Sequence, residues 1–126
     1  MNVLIVEDVF LARQTLKQIL EGHGAKVDEA EKGKQAIRFV KNNEYNYILI
    51  DLGLPDVNGI DLIKDIKQLG TKAKIIVASG QSEREILFKC ISAGADQYLV
   101  KPLDFERLIE MIFTNKKIMN NSLSFY

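Results

Sequence analysis

One cysteine, an even balance of charge and the lack of any long apolar run set the first limits on this 126-residue chain. Cys90 has no second thiol with which to form an internal disulfide, and no basic region followed by a signal-like apolar stretch precedes the first strand-like run; both favour a reducing cytoplasm. A bilayer-spanning helix needs roughly 18 consecutive apolar residues. The apolar runs here are short and broken by charge or glycine, so a soluble protein without a membrane role is expected. Seventeen Lys and Arg stand against seventeen Asp and Glu. No global positive field therefore draws the chain to nucleic acid or anionic lipid, although local patches remain open. A glycine-rich phosphate loop is also missing, which disfavours nucleotide binding. There is no internal repeat and no low-complexity segment, and the length suits one core with little room for a second domain.

What is present is an alternation of two periodicities. Asn2-Val-Leu-Ile-Val6 is a continuous apolar run rich in β-branched residues, the pattern of a strand buried on both faces. Similar runs lie at Ala25 to Ala30, which is weaker and alternating, at Tyr47 to Ile50, at Ala73 to Ala78 and at Gln97 to Val100. Between them are helical spacings. Leu11, Leu16, Ile19 and Leu20 mark a first helix ending at Gly22, the expected left-handed cap. Ala36, Ile37 and Val40 mark a second. Ile60, Ile63, Ile66 and Leu69 make a third, stopped by Gly70, and Ile86, Leu87, Cys90 and Ile91 a fourth, stopped by Gly94. Leu108, Ile109, Ile112 and Phe113 make a fifth. Ser82 with Glu85 has the form of a capping box at the fourth helix, and Asp104 is placed to cap the fifth. Strands alternating with helices predict an α/β, doubly wound, five-stranded parallel sheet with five helices on both faces. Residues 1–116 form the domain; 117–126 lose periodicity and turn polar, as a tail or linker stub does.

Ligands of such a sheet bind beyond the carboxyl ends of its strands. Those ends carry Glu7 and Asp8, then Asp51, then Ser79 and Gly80, then Lys101 and Pro102. Taken singly, an acid after a strand is most simply a cap and a lysine most simply a solvated charge. Jointly they are a constellation. Three clustered carboxylates repel unless a positive group sits among them, and Mg²⁺ (or Mn²⁺) suits one or two carboxylates plus waters and phosphate oxygens. Lys101 adds a mobile cation. The Ser79 hydroxyl and the Gly80 N–H can hydrogen-bond a phosphoryl oxygen, and aspartate can act as a nucleophile.

These residues resemble the receiver domains of two-component response regulators, over essentially residues 1 to 116. The resemblance rests on Glu7-Asp8, on Asp51 in Asp51-Leu-Gly-Leu-Pro-Asp-Val-Asn-Gly59, on Ser79-Gly80 and on Lys101-Pro102, in order and each at its strand end. It implies a flavodoxin-like strand order 2-1-3-4-5. It also implies Asp51 as phosphoacceptor, with Asp8, Asp51 and the Gly53 carbonyl as metal ligands and Glu7 acting through a bound water. Ser79 resembles a switch hydroxyl, Lys101 a phosphate partner, and Lys101-Pro102 a cis peptide, a form to which X-Pro bonds are prone. Tyr98 is either the aromatic that turns inward on activation or a half-buried strand tyrosine with its hydroxyl in water. Cys90 and His23 are structural, one in a helix core and the other exposed between glycines.

The implied function is a phosphorylation switch. A sensor histidine kinase or histidine phosphotransfer protein supplies the phosphoryl group, and a downstream protein reads the surface of helix 4, strand 5 and helix 5, including Arg84, Lys89, Gln97, Glu106 and Arg107; homodimerisation through that face is possible in the family. The chain is expected to catalyse only its own phosphorylation and dephosphorylation and to make no direct contact with nucleic acid. An aspartate-nucleophile phosphatase is the competing class, but it needs an acid two residues after the nucleophile, where this chain has Gly53. A degenerate receiver is disfavoured because no acid, hydroxyl or lysine is missing. Three positions depart from the common pattern: Glu7 where Asp is common, Ser79 where Thr is common, and Gly53 where a bulky side chain is frequent. The last bears on how open the site is to water.

Overall fold

A computed structural model describes residues 1–114. Its elements run β1 (Asn2–Val6), α1 (Phe10–Gly22), β2 (Lys26–Ala30), α2 (Gly33–Asn42), β3 (Tyr47–Asp51), α3 (Gly59–Gln68), β4 (Lys74–Ser79), α4 (Arg84–Ala93), β5 (Gln97–Val100) and α5 (Phe105–Phe113). The strands form one sheet in the order β2-β1-β3-β4-β5, every pair parallel. The order expected from the resemblance is therefore the order observed. The segment 117–126 lies outside the described residues. Among those described, no helix is long and apolar enough to cross a membrane.

Successive side chains of a strand point to opposite faces, which is why these runs are apolar throughout. Val3, Ile5, Leu49, Ile76 and Leu99 meet Leu16 and Leu20 of α1 and Leu108 and Ile112 of α5. Leu4, Val6, Ile48, Ile50, Ile75, Val77 and Tyr98 meet Ala36 and Val40 of α2, Leu62, Ile63 and Ile66 of α3, and Leu87 and Cys90 of α4. With both faces covered, only the strand ends are left for polar chemistry.

Three local expectations are corrected. Leu11 is 74% exposed: it precedes Leu16 by five residues, about 140° around a helix of 3.6 residues per turn, and so leaves the buried stripe. Gly22 is the last helical residue and the left-handed position is Gly24, with φ 95°. There the Ala25 N–H donates to the Leu20 carbonyl and the Gly24 N–H to that of Glu21, the paired bonds of a Schellman ending. The stops at Gly70 and Gly94 hold, both with positive φ. Ser82 does not cap α4, which starts at Arg84 after Glu83 and has no side-chain cap; the helix begins one residue too late for a capping box. Asp104 caps α5 as expected, its Oδ1 accepting from the N–H of Glu106 at 3.1 Å and of Arg107 at 3.2 Å.

Cys90 is fully buried, and burial pushes its thiol up to about 11. The thiolate is the reactive form, so a thiol reagent at neutral pH should label Cys90 only after unfolding. Rapid labelling of the native protein would contradict this packing.

Candidate functional site

Parallel pairing brings the carboxyl ends of four strands side by side. Val6 of β1 lies opposite Ile50 of β3, Asp51 opposite Ala78 of β4, and Ser79 opposite Val100 of β5. The residues that follow therefore converge. Glu7, Asp8 and Asp51 each offer a carboxylate oxygen, and the three oxygens lie within 4.8 Å of one another. Lys101 Nζ stands 3.1 Å from Glu7 Oε1 and 3.7 Å from Asp51 Oδ2.

Glu7, Asp51 and Ser79 each accept from a backbone N–H two residues on. Glu7 is only 2% exposed, yet its Oε2 accepts from the Val9 N–H at 3.1 Å. Burial pushes its carboxyl above the ordinary range, the neighbouring Asp51 adds to this, and the Val9 N–H and Lys101 act against it. Three carboxylate oxygens gathered within 4.8 Å of one another favour a positive charge among them, which is what a divalent cation bound by oxygen ligands provides. The donor set is thus chemically suited to Mg²⁺. Asp51 Oδ1 accepts from the Gly53 N–H at 3.2 Å, which fixes the start of the β3–α3 loop. A Cβ on Gly53 would lie 3.8 and 3.9 Å from the Asp51 oxygens, ordinary contact, so space alone does not demand glycine here.

Ser79 is buried, and its Oγ accepts from the Gln81 N–H at 3.1 Å. Its carbonyl accepts from the Lys101 N–H at 2.8 Å, so the backbone that carries the lysine is tied to the strand end that carries the hydroxyl. Gly80 follows and is exposed. The Lys101-Pro102 peptide is cis. Tyr98 is 1% exposed and donates its hydroxyl to the Gln81 carbonyl at 2.6 Å. The alternative of a half-buried tyrosine with its hydroxyl in water is therefore wrong. On the α4-β5-α5 face, Arg84, Lys89 and Glu106 are exposed as expected, whereas Gln97 and Arg107 are half-buried.

Arg13 went unnoticed in the sequence. It is buried, donates from Nη1 to the Glu7 carbonyl at 3.0 Å and from Nε to Glu29 Oε1 at 2.9 Å, and lies under the Phe10 ring. Lys17 also pairs with Glu29, at 3.1 Å. The guanidinium thus clamps the turn that presents Glu7 and Asp8. A signal existed: Arg13 precedes Leu16 by three residues and Leu20 by seven, which puts a cation on the buried stripe of α1. Beside the acids a cleft of about 300 Å³ runs under α1, lined by Ala12, Thr15, Leu103 and Phe105. Val9 and Phe10 are exposed close by in sequence.

Fold and site together define an α/β domain that gathers an acidic cluster and a lysine at the carboxyl edge of its sheet. Residues 3–113 match the family described as the response regulator receiver domain. The chain belongs to that family, a family of signalling domains. It is 35% identical to the chemotaxis protein CheY of Bacillus subtilis, over 88% of this chain and 93% of that one. It is 40% identical to the KDP operon transcriptional regulatory protein KdpE of Escherichia coli, over 85% of this chain but 47% of that longer protein. Among solved structures, a CheY-like receiver domain protein from Methanospirillum hungatei JF-1 superposes with a TM-score of 0.84 at 32% identity, over 88% of this chain and 89% of that one. A response regulator from Burkholderia pseudomallei, solved with a phosphorylated aspartic acid and a calcium ion, gives 0.83 at 29% identity, over 90% of this chain and 67% of that one.

Proposed function

We propose that Asp51 is the phosphoacceptor of this receiver domain and that Asp8, Asp51, the Gly53 carbonyl and, through a water, Glu7 hold Mg²⁺ or Mn²⁺. One observation carries the proposal: the Asp51 carboxylate ends β3 with an oxygen within 4.8 Å of those of Glu7 and Asp8 and 3.7 Å from Lys101. The phosphorylated aspartic acid of the Burkholderia pseudomallei relative supports it by analogy.

An Asp51 carboxylate oxygen attacks the phosphorus of a phosphohistidine on a sensor histidine kinase or a phosphotransfer protein. The new P–O bond forms as the P–N bond breaks, and the electron pair leaves on the imidazole nitrogen. A cation held by Asp8, Asp51 and the Gly53 carbonyl would supply positive charge against the phosphoryl oxygens. Lys101 neutralises a further oxygen, and the Ser79 hydroxyl and Gly80 N–H donate to the group once it is on Asp51. Reorientation of Ser79 breaks its bond with the Gln81 N–H. The Gln81 carbonyl is the group that holds Tyr98 inward, so the phosphorylation state is passed to the α4-β5-α5 surface, where Arg84, Lys89 and Glu106 face solvent. A downstream protein or a second copy of the chain reads that surface in the cytoplasm. Chemistry is confined to the chain's own aspartate, without turnover of an external substrate.

Intact mass measurement after incubation with acetyl phosphate and Mg²⁺ tests this. Wild type should gain one phosphoryl group, and Asp51→Asn and metal-free protein should gain none. An adduct that persists in Asp51→Asn would place the acceptor elsewhere.

A further inference from the structure

We propose that Asp56 is a positioning residue for the cation: it pins the β3–α3 loop to the first turn of α2 and thereby keeps the Gly53 carbonyl in register with the acidic cluster. The inference rests on the assignment of that carbonyl as a ligand. The first N–H groups of any helix lack partners within the helix. In α2 the preceding residue is Lys32, which provides no side-chain cap, and the first turn holds no acid. The missing acceptor comes from another segment. Asp56 Oδ1 accepts from the Gly33 N–H at 2.8 Å and Oδ2 from the Lys34 N–H at 3.0 Å, more than twenty residues away in sequence.

Both carboxylate oxygens are used, which fixes direction as well as distance. Partial burial pushes the Asp56 carboxyl up, but the backbone N–H bonds outweigh it and leave the group below its ordinary value. A second contact reinforces the first: a Cβ on Gly33 would collide with the Val57 side chain, so α2 and the loop touch without space between them. The rest of the loop is closed locally. Gly53 donates to Asp51, and Asn58 caps α3 by accepting from Ile60 and Asp61. Asp56, three residues past Gly53, is the carboxylate that ties the loop to a different element.

The test is Mg²⁺ titration of the full chain, followed by amide chemical shifts, for wild type, Asp56→Ala, Asp56→Asn and Gln35→Ala. Gln35 is the control because its side chain accepts from the Glu31 N–H just ahead of α2, a bond in which the loop has no part. Loss of a residue that orients a metal ligand commonly weakens metal binding by about 10- to 100-fold. Asp56→Ala should fall near the lower end of that range. Asp56→Asn, with one acceptor oxygen left, should lie between it and wild type, and Gln35→Ala should match wild type. Should Asp56→Ala fold poorly, Asp56→Asn carries the comparison. An Asp56→Ala affinity within twofold of wild type, or an equal loss in Gln35→Ala, overturns the positioning role and leaves the phosphoacceptor assignment standing. A wild-type protein that binds no Mg²⁺ overturns the assignment beneath it as well.

Discussion

Lys101→Met should slow phosphoryl transfer from acetyl phosphate to Asp51 by about 10²- to 10³-fold, the usual effect of removing one preorganised charge stabiliser from a reaction centre. Methionine keeps the length and apolar stem of the side chain and removes the ammonium. The Lys101 side chain is 33% exposed and its charge stands between Glu7 and Asp51, so the ammonium lies beside the Asp51 carboxylate at the open edge of the site. Stopped reactions weighed at intervals give the rate directly. A rate within threefold of wild type would show that the cation and backbone donors carry the developing charge without help. Thermal unfolding of the same variant separates chemistry from packing, because Glu7 loses its partner when the ammonium goes.

Gly59→Ala should destabilise the domain by about 1 to 3 kcal/mol, the cost of forcing an extra carbon into packed space. Two effects of opposite sign compete at this position. Alanine in a helix is favoured over glycine by roughly 0.5–1 kcal/mol, and Gly59 opens α3. Against that, the added Cβ would lie 2.8 Å from the Leu52 Cα and 3.1 Å from the Leu52 carbonyl oxygen. Backbone atoms cannot swing aside as a side-chain end can, so the collision wins. Leu52 adjoins Asp51, and the displacement should slow phosphorylation as well. Gly53→Ala is the contrast: its Cβ meets the Asp51 oxygens only at ordinary distance, and stability should stay within about 0.5 kcal/mol of wild type. Urea unfolding of the two variants checks both, and equal midpoints would refute the account of Leu52.

Much of this molecule was legible before any coordinates. The continuous runs such as Val3 to Val6 and Ile75 to Ala78 announced strands buried on both faces, because an exposed face would have required polar residues at every second place. The strand ends carried Glu7, Asp8, Asp51, Ser79 and Lys101, since topology alone carries parallel strand ends to one edge. The weaker results have physical causes. Gly22 and Gly24 flank His23, and composition does not say which glycine takes the positive φ; the exit direction of the chain towards Ala25 decides it. Ser82 had the residue type of a cap but not the backbone position. Leu11 marks the helix by its hydrophobicity, but its angle on the helix turns it outward. Asp56 acts on the N–H pair of α2 more than twenty residues away, and Arg13 on the Glu7 carbonyl and on Glu29, partners that the packing of α1 beside β1 and β2 supplies and residue spacing does not name.

The Glu7–Lys101 ion pair joins residues 94 positions apart, and so spans nearly the whole folded chain. Its acidic half belongs to the first strand and its basic half follows the last. The ammonium reaches Glu7 and Asp51 only because β5 stands beside β4 at the far side of the sheet from β2. A chain interrupted before β5 carries Glu7, Asp8 and Asp51 but lacks the ammonium beside them. The first and last strands of the chain thus share one charge cluster, and a single ion pair records that both are in place.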